Sequence, residues 1–172
     1  IKWIKDLGTI GGTDVGSSNL EVDVYGGYKG EIGKDFTYDV GALAYVYPGS
    51  KLNRLSPFFK SADTTEIYGA LTYGPATLKY SHSLTNLFGN PDSKNSFYLD
   101  ASATFDVQGF AVVPHIGYQK VKGDYEKEAT YTDYSLTVSK EVTKGLTLSA
   151  ALVGTDADKE WYTQYFKDVD PK

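Results

Sequence analysis

The chain has 172 residues and a formal net charge of -5, and it contains 15 tyrosines, 18 glycines and no cysteine. This length suits one domain, the acidic balance argues against a nucleic-acid partner, which needs a basic face, and the lack of cysteine excludes a disulfide framework and a thiolate metal site. A composition rich in tyrosine and glycine favours sheet over helix. The sequence contains no run of about 18 apolar residues, so no transmembrane helix is predicted.

Residues 1–18 are predicted to form a loop-like N-terminal segment. The stretch from Asn19 to Tyr47 predicts a complete β-hairpin. Apolar and polar side chains alternate along both of its strands, so that Val24 falls on one face and Lys29 on the other. A short turn at residues 31–35 supplies a glycine and charged residues, as tight hairpin turns require. The hairpin therefore has two chemically different faces.

Three further hairpins with the same alternation follow, and residues 155–172 form a second loop-like end. The predicted strands are Thr64–Tyr73, Ala76–Leu84, Ser96–Val107, Phe110–Lys120, Tyr131–Lys140 and Leu146–Gly154.

The connections between strands alternate in length along the chain. Short turns lie at 31–35, 74–75, 108–109 and 142–145, and long loops lie at 48–63, 85–95 and 121–129. This order predicts an antiparallel up-and-down meander with all short turns at one end, a topology that closes naturally into a barrel and removes exposed edges. Outer-membrane barrels have this asymmetry, with tight periplasmic turns and longer outer loops.

The amino-acid composition of the polar face helps to distinguish a membrane barrel from a soluble one. A soluble, lipocalin-like ligand-binding barrel would turn its polar face to bulk water and carry many Lys and Glu there. Here that face is dominated by Ser, Thr, Gly, Ala and Tyr, which suits the lining of a lumen. We therefore predict an all-β, antiparallel up-and-down transmembrane β-barrel with about 8 strands in this chain, and the soluble barrel stays as an alternative.

The alternation assigns a candidate set of residues to each face. The candidate lumen-lining residues are Glu21, Asp23, Lys29, Asp39, Glu66, Lys79, Asp100, Asp106, His115 and Asp133. The candidate lipid-facing residues are Leu20, Val22, Val24, Val40, Leu71, Leu78, Leu99, Phe105, Val112, Ile116, Leu136 and Leu148.

No catalytic, cofactor or metal site is expected. The two histidines, His82 and His115, have no partner at a metal-ligand spacing and are interpreted as wall residues. The serines on either side of His82 point to the opposite face, so the histidine cannot activate them. The oxygen-rich segments 89–95 and 156–158 are explained by turn chemistry.

Three blocks of the chain, residues 18–49, 64–100 and 148–158, resemble the TorF-type family of bacterial outer-membrane barrel proteins, first catalogued as conserved proteins of unknown function. The resemblance implies a Gram-negative outer-membrane location and a barrel of about 12 strands. It also implies that residues 1–172 are a single domain that lacks N-terminal strands and a final C-terminal strand.

The expected function is that of a porin with no enzymatic activity, which lets small hydrophilic solutes or ions diffuse through a polar lumen with a mild preference for cations. Its partners would be outer-membrane lipid and the diffusing solutes. An inward-folding loop 48–63 would narrow the passage. The alternative is a structural or interaction barrel whose lumen is plugged by side chains such as Tyr25, Tyr45 and Tyr68.

Overall fold

The computed structural model describes residues 9–10, 12–14, 20–55 and 59–162, and most of them lie in antiparallel β-sheet. Asn19, most of residues 1–18 and the end of the predicted tail lie outside the described residues. The strands are β1 (Thr9–Ile10), β2 (Thr13–Asp14), β3 (Val22–Ile32), β4 (Phe36–Val46), β5 (Thr64–Tyr73), β6 (Ala76–Ser83), β7 (Phe97–Ala103), β8 (Phe105–Val107), β9 (Phe110–Lys120), β10 (Tyr131–Thr143) and β11 (Leu146–Thr155).

The main sheet has nine strands and an up-and-down topology. Its order is β11-β10-β9-β7-β6-β5-β4-β3, with the short β8 pairing with β9, while β1 and β2 form a separate two-stranded sheet. All the strand pairs are antiparallel. The prediction of an all-β antiparallel meander is therefore confirmed. Within the described residues no strand pairs with the outer edges of β3 and β11, so the sheet is open there.

The predicted alternation of turn lengths is also confirmed. Short turns join β3 to β4, β5 to β6, β8 to β9 and β10 to β11, and they lie at one end of the sheet. The longer connections, at residues 47–63, 84–96 and 121–130, lie at the opposite end. These two ends are called the turn end and the loop end.

The prediction of one continuous strand over Ser96–Val107 is wrong. It is divided into β7 and β8 at Thr104, whose N–H donates to the carbonyl oxygen of Pro75 at 2.9 Å. The register of both pieces with β9 places Pro114 opposite Ala103. Proline has no N–H to give to a ladder, and the interruption falls at this point.

Two of the long loops and the tail after β11 contain short helices that the sequence pattern did not predict. A 3-10 turn spans Leu52–Leu55, α1 spans Glu126–Ala129, and residues 159–162 form a helical turn. None of the helices in the described residues is long and apolar enough to cross a membrane.

The buried apolar residues lie at the loop end, in a unit that we call the loop cap (residues 47–55, 59–63, 84–96, 121–130 and 156–162). Its hydrophobic cluster contains Leu87, Val121 and Ala129, against which Phe88, Tyr125 and Trp161 pack. Leu52 and Ala62 are also buried in the cap. The fold thus places its hydrophobic core beside one end of the sheet, and this core covers neither face of the sheet.

Candidate functional site

The strand register tests the two-face interpretation, because residues directly opposite one another across a strand pair share a face of the sheet. Following the pairs from β3 to β11 puts the candidate lumen residues of the strands on a single face, which we call the polar face. These residues are Asp23, Lys29, Asp39, Glu66, Lys79, Asp100, Asp106, His115 and Asp133. Glu21 precedes β3, and its Oε2 accepts a hydrogen bond of 2.5 Å from the Tyr47 hydroxyl.

The candidate lipid-facing residues of the strands share the opposite face, which we call the apolar face. They are Val22, Val24, Val40, Leu71, Leu78, Leu99, Phe105, Val112, Ile116, Leu136 and Leu148. Many large side chains of this face are exposed, among them Val24 at 61% and Leu152 at 77% of their surface. Leu20, just before β3, is exposed as well.

On the polar face, His115 of β9 lies between two carboxylates from the neighbouring strands. Its Nε2 is 2.7 Å from Asp100 Oδ2 on β7, and its Nδ1 is 3.6 Å from Asp133 Oδ1 on β10. The Tyr98 hydroxyl donates a hydrogen bond of 2.9 Å to Asp133 Oδ2. The histidine side chain is 19% exposed and each of the two carboxylate side chains 24%. These four side chains therefore form one partly covered cluster.

A second set of contacts continues this cluster towards β4. Lys79 of β6 is directly opposite Asp100, and its Nζ lies 4.5 Å from the centroid of the Tyr68 ring, in cation–π contact. The Tyr68 hydroxyl donates a hydrogen bond of 3.0 Å to Asp39 Oδ1 on β4. Together with the His115 cluster, these residues form a band across the polar face from β4 to β10. We call this set of Asp39, Tyr68, Lys79, Tyr98, Asp100, His115 and Asp133 the polar belt.

Glycines let the two tyrosines of the belt lie flat against the sheet. A Cβ at Gly41, directly opposite Tyr68, would come within 2.8 Å of the Tyr68 hydroxyl oxygen. A Cβ at Gly117 would overlap the hydroxyl of Tyr98. The sequence places both glycines on the polar face, but their pairing with tyrosines depends on strand register, which alternation alone does not give.

Five candidate lumen residues lie outside the belt: Glu21, Asp23, Lys29, Glu66 and Asp106. Lys29 is directly opposite Asp39 of the belt. Asp106 is at the turn end, where its carboxylate accepts the Gly109 N–H at 3.1 Å. Asp23 and Glu66 lie towards the loop end, in register with Tyr45 and Leu43 of β4. His82 is on the apolar face, where its ring contacts the Tyr80 hydroxyl and the Asn95 side chain.

An aromatic contact joins the loop cap to the loop end of the polar face. The Phe88 ring packs edge-on against Tyr45 and Tyr47, with centroid distances of 5.1 and 6.4 Å. Phe88 has a φ of 45°, which is unusual for a bulky residue. Burial raises the pKa of Tyr47 above its ordinary value, and the hydrogen bond to Glu21 adds to the effect. The loop 84–96 thus covers this end of the polar face.

One family model, described as a bacterial protein of unknown function (Gcw_chp), matches residues 3–171. The chain belongs to this Gcw_chp family. No curated protein and no solved structure matches it. The description of the Gcw_chp family assigns no activity, so the resemblance to TorF-type proteins stays a prediction.

The polar belt of this Gcw_chp protein contains charged and titratable side chains, but it does not place a serine hydroxyl against a ring nitrogen of His115. Ser102 and Ser135 oppose His115 in the register, yet the ring nitrogens face Asp100 and Asp133. Among the described residues, no group of three or more His, Asp or Glu side chains is placed to hold a metal ion. The arrangement is suited to electrostatic contact with a solute or an ion.

Proposed function

We propose that the protein is a bacterial outer-membrane porin, which lets small hydrophilic solutes or ions diffuse passively along its polar face. The observation that carries this proposal is the distribution of exposure between the two faces of the sheet. Large apolar side chains cover one face and are exposed there, whereas the other face carries the partly covered polar belt. A sheet that folded in water would bury its apolar face instead.

The extent of the apolar face supports a membrane partner. Soluble monomers rarely expose contiguous apolar patches larger than a few hundred Å². Here the exposed apolar residues extend over consecutive strands from β3 to β11, as the directly paired Leu71 and Leu78, and Leu136 and Leu152, illustrate. A lipid environment would suit such a face, because lipid would replace water over the whole surface.

Strand length and aromatic positions agree with a membrane span. A tilted spanning strand needs about 9–11 residues, and β3, β4 and β9 have 11 residues each. On the apolar face, Phe36 and Tyr73 stack at the turn end with a centroid distance of 4.7 Å. At the loop end, Phe97 packs between Tyr80 and Tyr118. Aromatic residues at both ends of the strands match the two membrane interfaces.

The proposal includes closure of the sheet into a barrel. Closure requires a partner for the outer edges of β3 and β11, and the resemblance to TorF-type proteins suggests a barrel of about 12 strands. Eight strands leave an interior just wide enough for side chains, whereas a larger barrel has room for water. The turn end would then face the periplasm and the loop cap the outside.

Carboxylates outnumber amines on the polar face, and this favours cations over anions. Its strand carboxylates are Asp23, Glu31, Asp39, Glu66, Asp100, Asp106, Asp133 and Glu141, and its strand lysines are Lys29 and Lys79. Lys120 and Lys140 belong to the apolar face in the same register.

Recording from a planar bilayer tests the function. Protein refolded into detergent and checked by circular dichroism should give stepwise conductance, and a salt gradient should give a reversal potential of the sign for cations. The variant Val24→Thr, on the apolar face, is a control that should leave the conductance per step unchanged. Well-folded protein that gives no conductance would remove the porin proposal, and anion selectivity would remove the cation preference.

A second candidate is an interaction barrel with a closed lumen. It is favoured by the packing of Phe88 on Tyr45 and Tyr47, which covers the loop end of the polar face. Such a barrel would be silent in the bilayer. A soluble ligand-binding barrel is distinguished by stability without detergent.

A further inference from the structure

We propose that His115 sets the net charge of the polar belt, and that its protonation makes the ion selectivity of the passage depend on pH. This inference rests on the proposed porin function and names the residue that determines its specificity.

The geometry of His115 favours a ring that carries two protons. Both ring nitrogens face a carboxylate oxygen, Asp100 Oδ2 on one side and Asp133 Oδ1 on the other. An ionised carboxylate can only accept hydrogen bonds, and a neutral imidazole has one N–H, whereas the cationic ring has two. The Nε2 contact of 2.7 Å is a hydrogen bond, whereas the Nδ1 contact of 3.6 Å is too long for one, so Asp133 favours the cationic ring through its charge. Loss of one proton leaves a lone pair facing an oxygen of like partial charge.

The effect of this proton on the local charge depends on the charged and titratable groups around the ring. From β6, Lys79 is opposite Asp100. From β7, the Tyr98 hydroxyl lies 3.4 Å from Nε2 and donates to Asp133. From β10, Tyr131 is the remaining titratable group near Asp133 on this face.

The charge of the polar belt follows from its members. Among the described residues of the belt, Lys79 is the one fixed cation, and it stands against the three carboxylates of Asp39, Asp100 and Asp133. With a cationic His115 the negative charges exceed the positive ones by one, and with a neutral His115 they exceed them by two. Imidazole is the side chain that changes charge between about pH 5 and 8.

One unit of charge beside a narrow aqueous passage has a measurable effect on permeation. In water, a charge about 5 Å from a passing ion changes its local concentration by roughly fourfold, and physiological salt reduces this to roughly twofold. The same charge raises the local concentration of cations and lowers that of anions, so the ratio of cation to anion permeability is expected to rise about four- to sixteenfold between pH 5.5 and 8.

The chain offers a matched control, because its two histidines lie on opposite faces of the sheet. His82 is on the apolar face, bound to Tyr80 and Asn95, and does not face the proposed passage. His82→Gln should therefore keep the pH dependence of the wild type. His115→Gln should lose it and hold the selectivity that the wild type has at pH 8.

Reversal potentials of the full chain in planar bilayers, measured at pH 5.5 and pH 8, test the proposal. A ratio that rises with pH in the wild type and in His82→Gln, but not in His115→Gln, supports it. Asp133→Asn removes one carboxylate of the belt and keeps an acceptor for Tyr98, so its selectivity at pH 8 should match that of the wild type at pH 5.5. A wild-type ratio that is equal at both pH values, or a shift that persists in His115→Gln, overturns it.

A second measurement does not depend on conductance. The two histidine ring signals of the protein in detergent micelles can be followed by NMR from pH 5.5 to 8, and His115→Gln identifies them. The ring signals of His115, but not those of His82, should differ between the wild type and Asp133→Asn over this range, because Asp133 Oδ1 lies 3.6 Å from Nδ1 of His115. A folded protein that is silent in the bilayer but shows this difference contradicts the porin function alone. His115 signals that are the same in the wild type and in Asp133→Asn overturn the role of His115.

Discussion

Replacing Gly117 with alanine should destabilise the sheet, because the added methyl group occupies the place of Tyr98. The new Cβ would overlap the tyrosine hydroxyl and lie 2.8 Å from Asp133 Oδ2. The hydroxyl end of the ring lies over Gly117, so the ring must swing away and give up its 2.9 Å hydrogen bond to Asp133.

The magnitude follows from the two effects. Overpacking a tight site costs about 1–3 kcal/mol, and a hydrogen bond to a charged group contributes about 1.5–3 kcal/mol. Since the tyrosine relieves the overlap by moving, the two costs do not add in full, and a loss of about 3 kcal/mol is expected. Urea unfolding in detergent micelles, followed by far-UV circular dichroism, measures it.

Two further variants make this prediction specific. Gly26→Ala is the matched control, since a Cβ there meets no atom within 4 Å, and its free energy of unfolding should change by less than about 1 kcal/mol. In a Tyr98→Ala background the site is vacant, so Gly117→Ala should then cost less than about 1 kcal/mol. Wild-type stability in the Gly117→Ala single variant would refute the packing of tyrosine on glycine.

Three other predictions concern the loop cap. Gly89→Ala should destabilise the cap by about 1–3 kcal/mol, seen as faster proteolysis, because φ is 85° there and the Cβ would lie 2.7 Å from Leu52 Cδ2. Ser93→Ala should cost about 1–3 kcal/mol, seen by hydrogen exchange, because its buried hydroxyl accepts one backbone N–H and donates to a carbonyl oxygen. The 2.6 Å hydrogen bond from Lys120 holds the pKa of Glu126 below its ordinary value. Its stabilisation is therefore present at neutral pH and lost below about pH 4, where exchange at residues 121–130 should speed up in the wild type but not in Glu126→Gln.

The sequence predicted those features of the fold that depend on local patterns. Alternation gave both faces, and glycine with charged residues gave the turns, because side-chain period and turn geometry are properties of neighbouring residues. The bounds of β5 and β9 agree with the predicted strands. The break at Thr104 falls beside Pro114 in the register with β9, and such a cross-strand neighbour is not visible in the alternation of one strand.

The candidate site was predicted as a face and not as a cluster. Alternation puts Asp100, His115 and Asp133 on the polar face, but it does not say that they lie side by side, since this depends on the register of three strands. The loop cap was not predicted either. Its contacts join segments far apart in the chain, such as the bond from the Lys60 N–H to the Gly89 carbonyl oxygen at 2.8 Å.

The location of the hydrophobic core connects the fold to its proposed environment. Burial of apolar surface contributes about 25 cal/mol per Å², and it is the dominant favourable term in folding. Among the described residues, the fully buried apolar side chains, such as Leu52 and Val121, belong to the loop cap, whereas Val24 and Leu152 of the strands are exposed. The cap can therefore gain this term in water from its own residues. The sheet can gain it only when something apolar covers its apolar face, as the proposed bilayer would do over all of its strands at once.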